Sequence, residues 1–166
     1  MRLFRLAAIA LLSALPAAAP AKPWQGVNPG SSTQAEVVEK FGEPTTRTRR
    51  GNRTVLAYLG EQALPGTKQA QFYVAEDGTV LEITVFIATQ LDREAIEGTY
   101  GKSPEKTFTD AFLPVWIYRP AGVTVYFGKD GFVEAITFGP GVKTAPRPAA
   151  EARPAEPRPA RATAKP

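Results

Sequence analysis

Phe72-Tyr73-Val74-Ala75-Glu76-Asp77-Gly78-Thr79-Val80-Leu81-Glu82-Ile83-Thr84 has a counterpart 53 residues further on, Val125-Tyr126-Phe127-Gly128-Lys129-Asp130-Gly131-Phe132-Val133-Glu134-Ala135-Ile136-Thr137. In each stretch two runs rich in β-branched and aromatic residues flank an Asp-Gly pair, which supplies the positive-φ residues of a hairpin turn. Upstream, Leu56-Ala57-Tyr58 corresponds to Trp116-Ile117-Tyr118. Further upstream, Thr33-Gln34-Ala35-Glu36-Val37-Val38-Glu39-Lys40-Phe41-Gly42 corresponds to Asp92-Arg93-Glu94-Ala95-Ile96-Glu97-Gly98-Thr99-Tyr100-Gly101, now at an offset of 59. The shrinking offset means a shorter middle loop in the second copy.

Thr33 is a natural N-cap, with Glu36 at the capping-box position, and Asp92 takes the same place in the second copy. Val37, Val38 and Phe41 share one helical face, and Gly42 followed by Pro44 ends the helix. Both helices are too short to stand without packing. Each unit therefore reads helix, strand, strand, strand. The predicted fold class is α+β: two tandem helix-plus-three-strand repeats, residues 22–87 and 88–142, forming an antiparallel sheet with short helices on one face.

The ends read differently. Arg2 and Arg5 precede an apolar run from Leu6 to Leu15 and a small-residue stretch, Ala17 to Ala21. This is the pattern of an export signal over residues 1–21, with cleavage near Ala21. The apolar run is shorter than the ~20 residues that span a bilayer. Residues 143–166 hold eight Ala, six Pro and six Lys/Arg. Proline at that density blocks helix, and nothing in the segment is bulky enough to bury, so a disordered tail is predicted, spanning up to ~75 Å as polyproline II. It reads either as a solubilising spacer or as a polycationic arm in peripheral contact with anionic lipid headgroups. The expected location is periplasmic or secreted, with no transmembrane segment after cleavage.

The chain of 166 residues has no cysteine and no histidine. Disulfides, thiolate and Ser-His chemistry, Cys/His zinc motifs and a lipid-anchoring cysteine are thereby excluded. The formal net charge is +4, but residues 22–142 carry 12 Lys/Arg against 14 Asp/Glu. The basicity lies at the ends, so the body lacks the cationic face of a nucleic-acid-binding domain.

The ordered string Val27-Asn28-Pro29-Gly30-Ser31-Ser32-Thr33 … Phe41-Gly42-Glu43-Pro44 … Leu56-Ala57-Tyr58 … Tyr73 … Asp77-Gly78-Thr79-Val80 resembles the SmpA/OmlA (BamE-like) family of outer-membrane assembly domains. The resemblance covers roughly residues 28–87 and, less clearly, 90–139. It implies a non-catalytic cell-envelope module that binds a protein partner. Two tandem units are also similar to the β-lactamase-inhibitor-protein architecture, which implies an alternative: an inhibitor of an extracytoplasmic hydrolase, binding through its sheet.

Strand alternation nominates the binding face. Ala70, Phe72, Val74, Val123, Val125 and Phe127 read as the covered side. Gln69, Gln71, Tyr73, Thr124 and Tyr126 then face the open side, with Glu82, Thr84 and Thr137. If Val115 and Ile117 are covered, Trp116 and Tyr118 join the open side, and Tyr58 follows by repeat equivalence. The candidate protein-binding residues are therefore Tyr58, Tyr73, Trp116, Tyr118 and Tyr126, residue types favoured at interfaces; aromatic residues also pair across strands for purely structural reasons. Arg47, Arg49, Arg50 and Arg53 straddle Gly51-Asn52, another hairpin-turn signal, and are a candidate contact for an anion or an acidic patch of a partner.

Chemistry finds no foothold in the sequence. Ser103-Pro104-Glu105-Lys106 fits a Ser-x-x-Lys pattern, but Ser-Asp-Asn and Lys-Thr-Gly companions are missing, and the stretch reads as a loop between helix and strand. Asp77 and Asp130 are explained by their turns. No enzyme activity, catalytic residue, metal site or cofactor is expected.

Overall fold

The computed structural model describes residues 22–141. The expected export signal and proline-rich tail lie outside them. In chain order the elements are α1 (Gln34–Phe41), β1 (Thr46–Arg50), β2 (Arg53–Leu59), β3 (Thr67–Val74), β4 (Val80–Ile87), α2 (Arg93–Tyr100), β5 (Glu105–Phe108), β6 (Pro114–Tyr118), β7 (Val123–Phe127) and β8 (Val133–Phe138). Single 3-10 turns, Gly60–Gln62 and Arg119–Ala121, join β2 to β3 and β6 to β7.

The expected α+β fold of two helix-plus-three-strand repeats is overturned. Among the described residues eight strands form one antiparallel sheet in the order β1-β2-β3-β4-β8-β7-β6-β5, with two eight-residue helices beside it. Each half contributes four strands, and β4 pairs with β8 at the seam, from Ile83↔Phe138 to Phe86↔Ala135. The strands missing from the expectation are the two edges. Thr-Arg-Thr-Arg-Arg in β1 and Glu-Lys-Thr-Phe in β5 are exposed at every position. An edge strand that buries neither face carries no apolar period, and charge there discourages pairing with other chains.

The central strands form because both Asp-Gly turns work in the same way. Gly78 and Gly131 sit at φ 85° and 83°, a region that costs glycine nothing. Asp77 Oδ1 accepts from the Thr79 amide at 2.9 Å, and Asp130 Oδ1 accepts from the Phe132 amide at 3.1 Å. A register shift flanks each turn, between Tyr73 and Val74 and between Tyr126 and Phe127, and a bulge of this kind bends and twists the ribbon.

The helices start as the sequence predicts. Thr33 Oγ1 accepts from the Glu36 amide and the Glu36 carboxylate accepts from the Thr33 amide, closing a capping box. Asp92 caps α2 through the Ala95 amide at 2.8 Å. Val37 and Ile96 enter one core with Leu56, Tyr58, Phe72, Ile83, Trp116, Val125, Phe127, Ile136 and Phe138, so both helices cover the same side of the sheet. The segment before α1 completes that layer. Trp24 stacks at 6.2 Å from Phe41 and 5.9 Å from Phe72, and the Lys22 ammonium lies 4.6 Å from the Tyr100 ring. The Asn28-Pro29-Gly30 turn is laced to the start of β4: the Gly30 amide donates to the Val80 carbonyl at 2.7 Å and the Val80 amide to the Ser32 carbonyl at 2.8 Å. Among the described residues no helix is long and apolar enough to cross a membrane.

Candidate protein-binding face

The side of the sheet away from the helices is the candidate site. The register runs straight across all eight strands there: Thr46, Ala57, Gln71, Thr84, Thr137, Thr124, Ile117 and Glu105 stand in one row. The next row holds Leu59, Gln69, Phe86, Ala135, Tyr126, Val115 and Thr107. Tyr73 stands between Val55 and Glu82, two residues along β3 from Gln71. The midpoint is the Thr84–Thr137 pair, whose hydroxyl oxygens hydrogen-bond at 3.0 Å across the seam. Tyr73 and Tyr126, equivalent residues of the two halves, flank it. The Tyr73 hydroxyl donates to Gln71 Oε1 at 2.7 Å, which holds the ring's polar tip against its own strand.

These residues line a shallow depression of about 400 Å³ with Glu82, Phe86, Glu134 and Ala135. The open face also carries aliphatic residues beside the depression. Val55, Ala57, Val115 and Ala135 are buried, yet they lie outside the core beneath the helices. Tyr73 pairs with Val55, and Tyr126 with both Val115 and Ala135, so the tyrosines flank the aliphatic residues of this face. A face combining aromatic rings with hydrogen-bonding tips, aliphatic neighbours and Thr/Gln/Glu surroundings has the composition of a recognition surface.

Two of the five aromatic candidates, Tyr73 and Tyr126, are on this face. The other three are not, which corrects the phase assigned to β2 and β6. Tyr58 pairs with Ala70, Trp116 with Val125 and Tyr118 with Val123, all on the helix side. They are core residues, at 0%, 5% and 6% exposure. Trp116 packs edge-on to Phe127 at 4.9 Å. Each buried tyrosine keeps a partner for its hydroxyl: Tyr58 Oη donates to the Gly42 carbonyl at 2.9 Å and Tyr118 Oη to the Gly101 carbonyl at 3.1 Å. Those carbonyls close the two helices, whose last turns leave orphan acceptors. Burial raises the pKa of both phenols, with the charge of Glu43 adding to it at Tyr58 and that of Glu97 at Tyr118.

The arginine cluster is divided by strand alternation. Arg47 and Arg49 lie on the helix side, opposite Leu56 and Thr54, and pair with Glu43 at 3.3 Å and Glu76 at 2.9 Å. Arg50 and Arg53 face the open side directly opposite each other. The four guanidinium groups therefore do not converge on one anion. Ser103 is exposed before β5, while Lys106 lies within that edge strand with its ammonium 4.8 Å from the Trp116 ring, so the expected loop is a strand. Among the described residues no group of three or more acidic side chains could hold a metal.

Sequence reasoning passed over Phe86 and Glu134, which also line the depression; Phe86 follows Glu82 and Thr84 in the alternation of β4, whereas Glu134 is placed by the register shift between β7 and β8, which β8 alone does not reveal. It also passed over Phe112, which tips the β5–β6 hairpin at 85% exposure with φ 58°.

No family model matches the chain, and no curated protein matches it. Among solved structures it is similar to a DUF4309 family protein (YjgB) from Bacillus subtilis subsp. subtilis str. 168, at TM-score 0.55 and 19% identity over 70% of this chain and 83% of that one. That likeness is one of fold alone.

Proposed function

We propose that the protein is a non-catalytic protein-binding module of the cell envelope, acting in the manner of outer-membrane assembly factors. One observation carries the reading: the uncovered face of the sheet centres on Tyr73 and Tyr126, set on either side of the Thr84–Thr137 pair with Val55, Val115 and Ala135 beside them. Protein partners are recognised by rings of this kind around a desolvated centre. The carboxylates nearest to a catalytic pattern are instead engaged in turns and caps, as at Asp77, Asp130, Asp92 and Glu36. The envelope assignment rests on the export-signal pattern of residues 1–21 and on the family resemblance of residues 28–87.

Affinity capture from native cells tests it, using a tagged full chain beside the variant Tyr73→Ala/Tyr126→Ala. The expected result is capture of barrel-assembly subunits or outer-membrane barrels by the parent and about tenfold less by the variant, as for loss of ~1.4 kcal/mol. Specific capture of one soluble hydrolase, lost in the same variant, replaces the assembly reading with that of an inhibitor. Equal capture by both chains contradicts the assigned face.

A further inference from the structure

The depression between Tyr73 and Tyr126 has a charge character that the partner reading leaves unused. Its lining residues include the carboxylates Glu82 and Glu134 and no lysine or arginine. The same chain carries, in residues 143–166, six Pro and six Lys/Arg against two Glu. We propose that this groove takes the chain's own proline- and arginine-rich segment as an intramolecular ligand, which competes with the protein partner for the open face.

Three features argue for that occupant. Grooves lined by aromatic rings receive proline-rich segments because the extended polyproline conformation loses little entropy on docking and offers flat rings to stack. Tyr73, Phe86 and Tyr126 supply such rings. The charges are complementary in sign, with Arg147, Arg153, Arg158 and Arg161 spaced through the segment to meet two carboxylates. The reach is also sufficient. Thr137, in the groove lining, precedes Lys143 by only six residues, about 20 Å at the rise of a strand. The 24 residues from Lys143 to Pro166 can extend a further ~75 Å, ample to turn back across the face. The inference rests on the open face being the binding site and adds a regulator to it: a partner must displace the segment, so its apparent affinity is lowered by the fraction of chains in which the groove is filled.

Because the chain has no cysteine, Ala155→Cys gives a single attachment point for a nitroxide in the full chain. Nuclear relaxation then reports which amides the segment approaches. The expected result is selective broadening at Tyr73, Glu82, Thr84, Tyr126 and Thr137, independent of protein concentration. Glu82→Lys/Glu134→Lys should weaken it about twofold to fivefold, the range for exposed ion pairs, and added salt should do the same. Arg153→Glu/Arg158→Glu tests the same contact from the segment and is read if the groove variant does not fold. Broadening on the helix side, or spread evenly over both faces, overturns the proposal. So does equal broadening when the nitroxide is carried only by a second, isotopically silent copy, which would make the contact intermolecular. No partner enters this experiment, so its failure leaves the capture result intact, and a failed capture leaves this result readable.

Discussion

The Tyr58 hydroxyl donates to the carbonyl oxygen of Gly42 at 2.9 Å, and Tyr118 repeats the contact to Gly101 at 3.1 Å. Each bond ties the C-terminus of an eight-residue helix to the strand beneath it. Tyr58→Phe and Tyr118→Phe should each cost about 1 kcal/mol, because a half-buried helix carbonyl is left without a donor. Urea denaturation measures this. Partner capture should be unchanged in both variants; a binding loss without a stability loss would return these residues to the interface.

The same burial sets an alkaline limit. Tyr58, Tyr100 and Tyr118 all have pKa values raised above the ordinary 10.0, chiefly by burial, with Glu43 raising Tyr58, Tyr118 raising Tyr100 and Glu97 raising Tyr118. The folded chain holds these protons where the unfolded chain has released them. Their contribution to stability is therefore fully present below about pH 10 and is lost as pH climbs from there through the raised values. Phenolate absorbance followed beside circular dichroism should show these three groups ionising together with unfolding. Half-ionisation of Tyr58, Tyr100 and Tyr118 at pH 10.0 with the fold intact would contradict the buried placement.

Arg50 and Arg53 stand directly opposite across the β1–β2 hairpin, and like charges in that position repel. Arg50→Glu should therefore stabilise the protein by about 0.5 kcal/mol, an effect that shrinks as salt is added. Thermal denaturation at low and high salt reads both parts. A destabilised variant would show that the pair serves some contact other than the hairpin.

What the sequence made legible was whatever depended on local pattern. Both helix caps, both Asp-Gly hairpins and the covered faces of β3 and β7 could be read, because Ala70-Phe72-Val74 and Val123-Val125-Phe127 alternate cleanly with polar neighbours. β1 and β5 could not, since an exposed edge strand has no face to mark it. The phases of β2 and β6 were hidden for a different reason. Val-Leu-Ala-Tyr and Val-Trp-Ile-Tyr are apolar at every position, so alternation says nothing, and only the register against β3 and β7 decides which side each residue takes. The clue available was the parallel between Tyr58 with Gly42 and Tyr118 with Gly101, which points to helix anchors rather than free rings. In the candidate site, Tyr73, Tyr126, Glu82, Thr84 and Thr137 belonged to alternating strands, as did Phe86, whereas Glu134 needed the register shift between β7 and β8.

That seam makes a prediction of its own. Thr84 and Thr137 bond at 3.0 Å where the two halves meet. Thr84→Val or Thr137→Val alone leaves one half-buried hydroxyl unpartnered and should cost about 0.5–1 kcal/mol. The double variant replaces both with matched aliphatic groups, so its cost should fall below the sum of the two. A double-mutant cycle in urea measures the coupling. Strict additivity would mean that the hydroxyl pair does not help to join β4 to β8.

The most direct measurement of the central claim is a residue-by-residue photocrosslinking map in native cells. A photoreactive amino acid would be placed in turn at Gln71, Tyr73, Thr124 and Tyr126 on the open face, and at Glu39 and Glu97 on the helices. One partner should be crosslinked from the four open-face positions and not from the helices. Crosslinks from Glu39 or Glu97, with none from the open face, would contradict the claim.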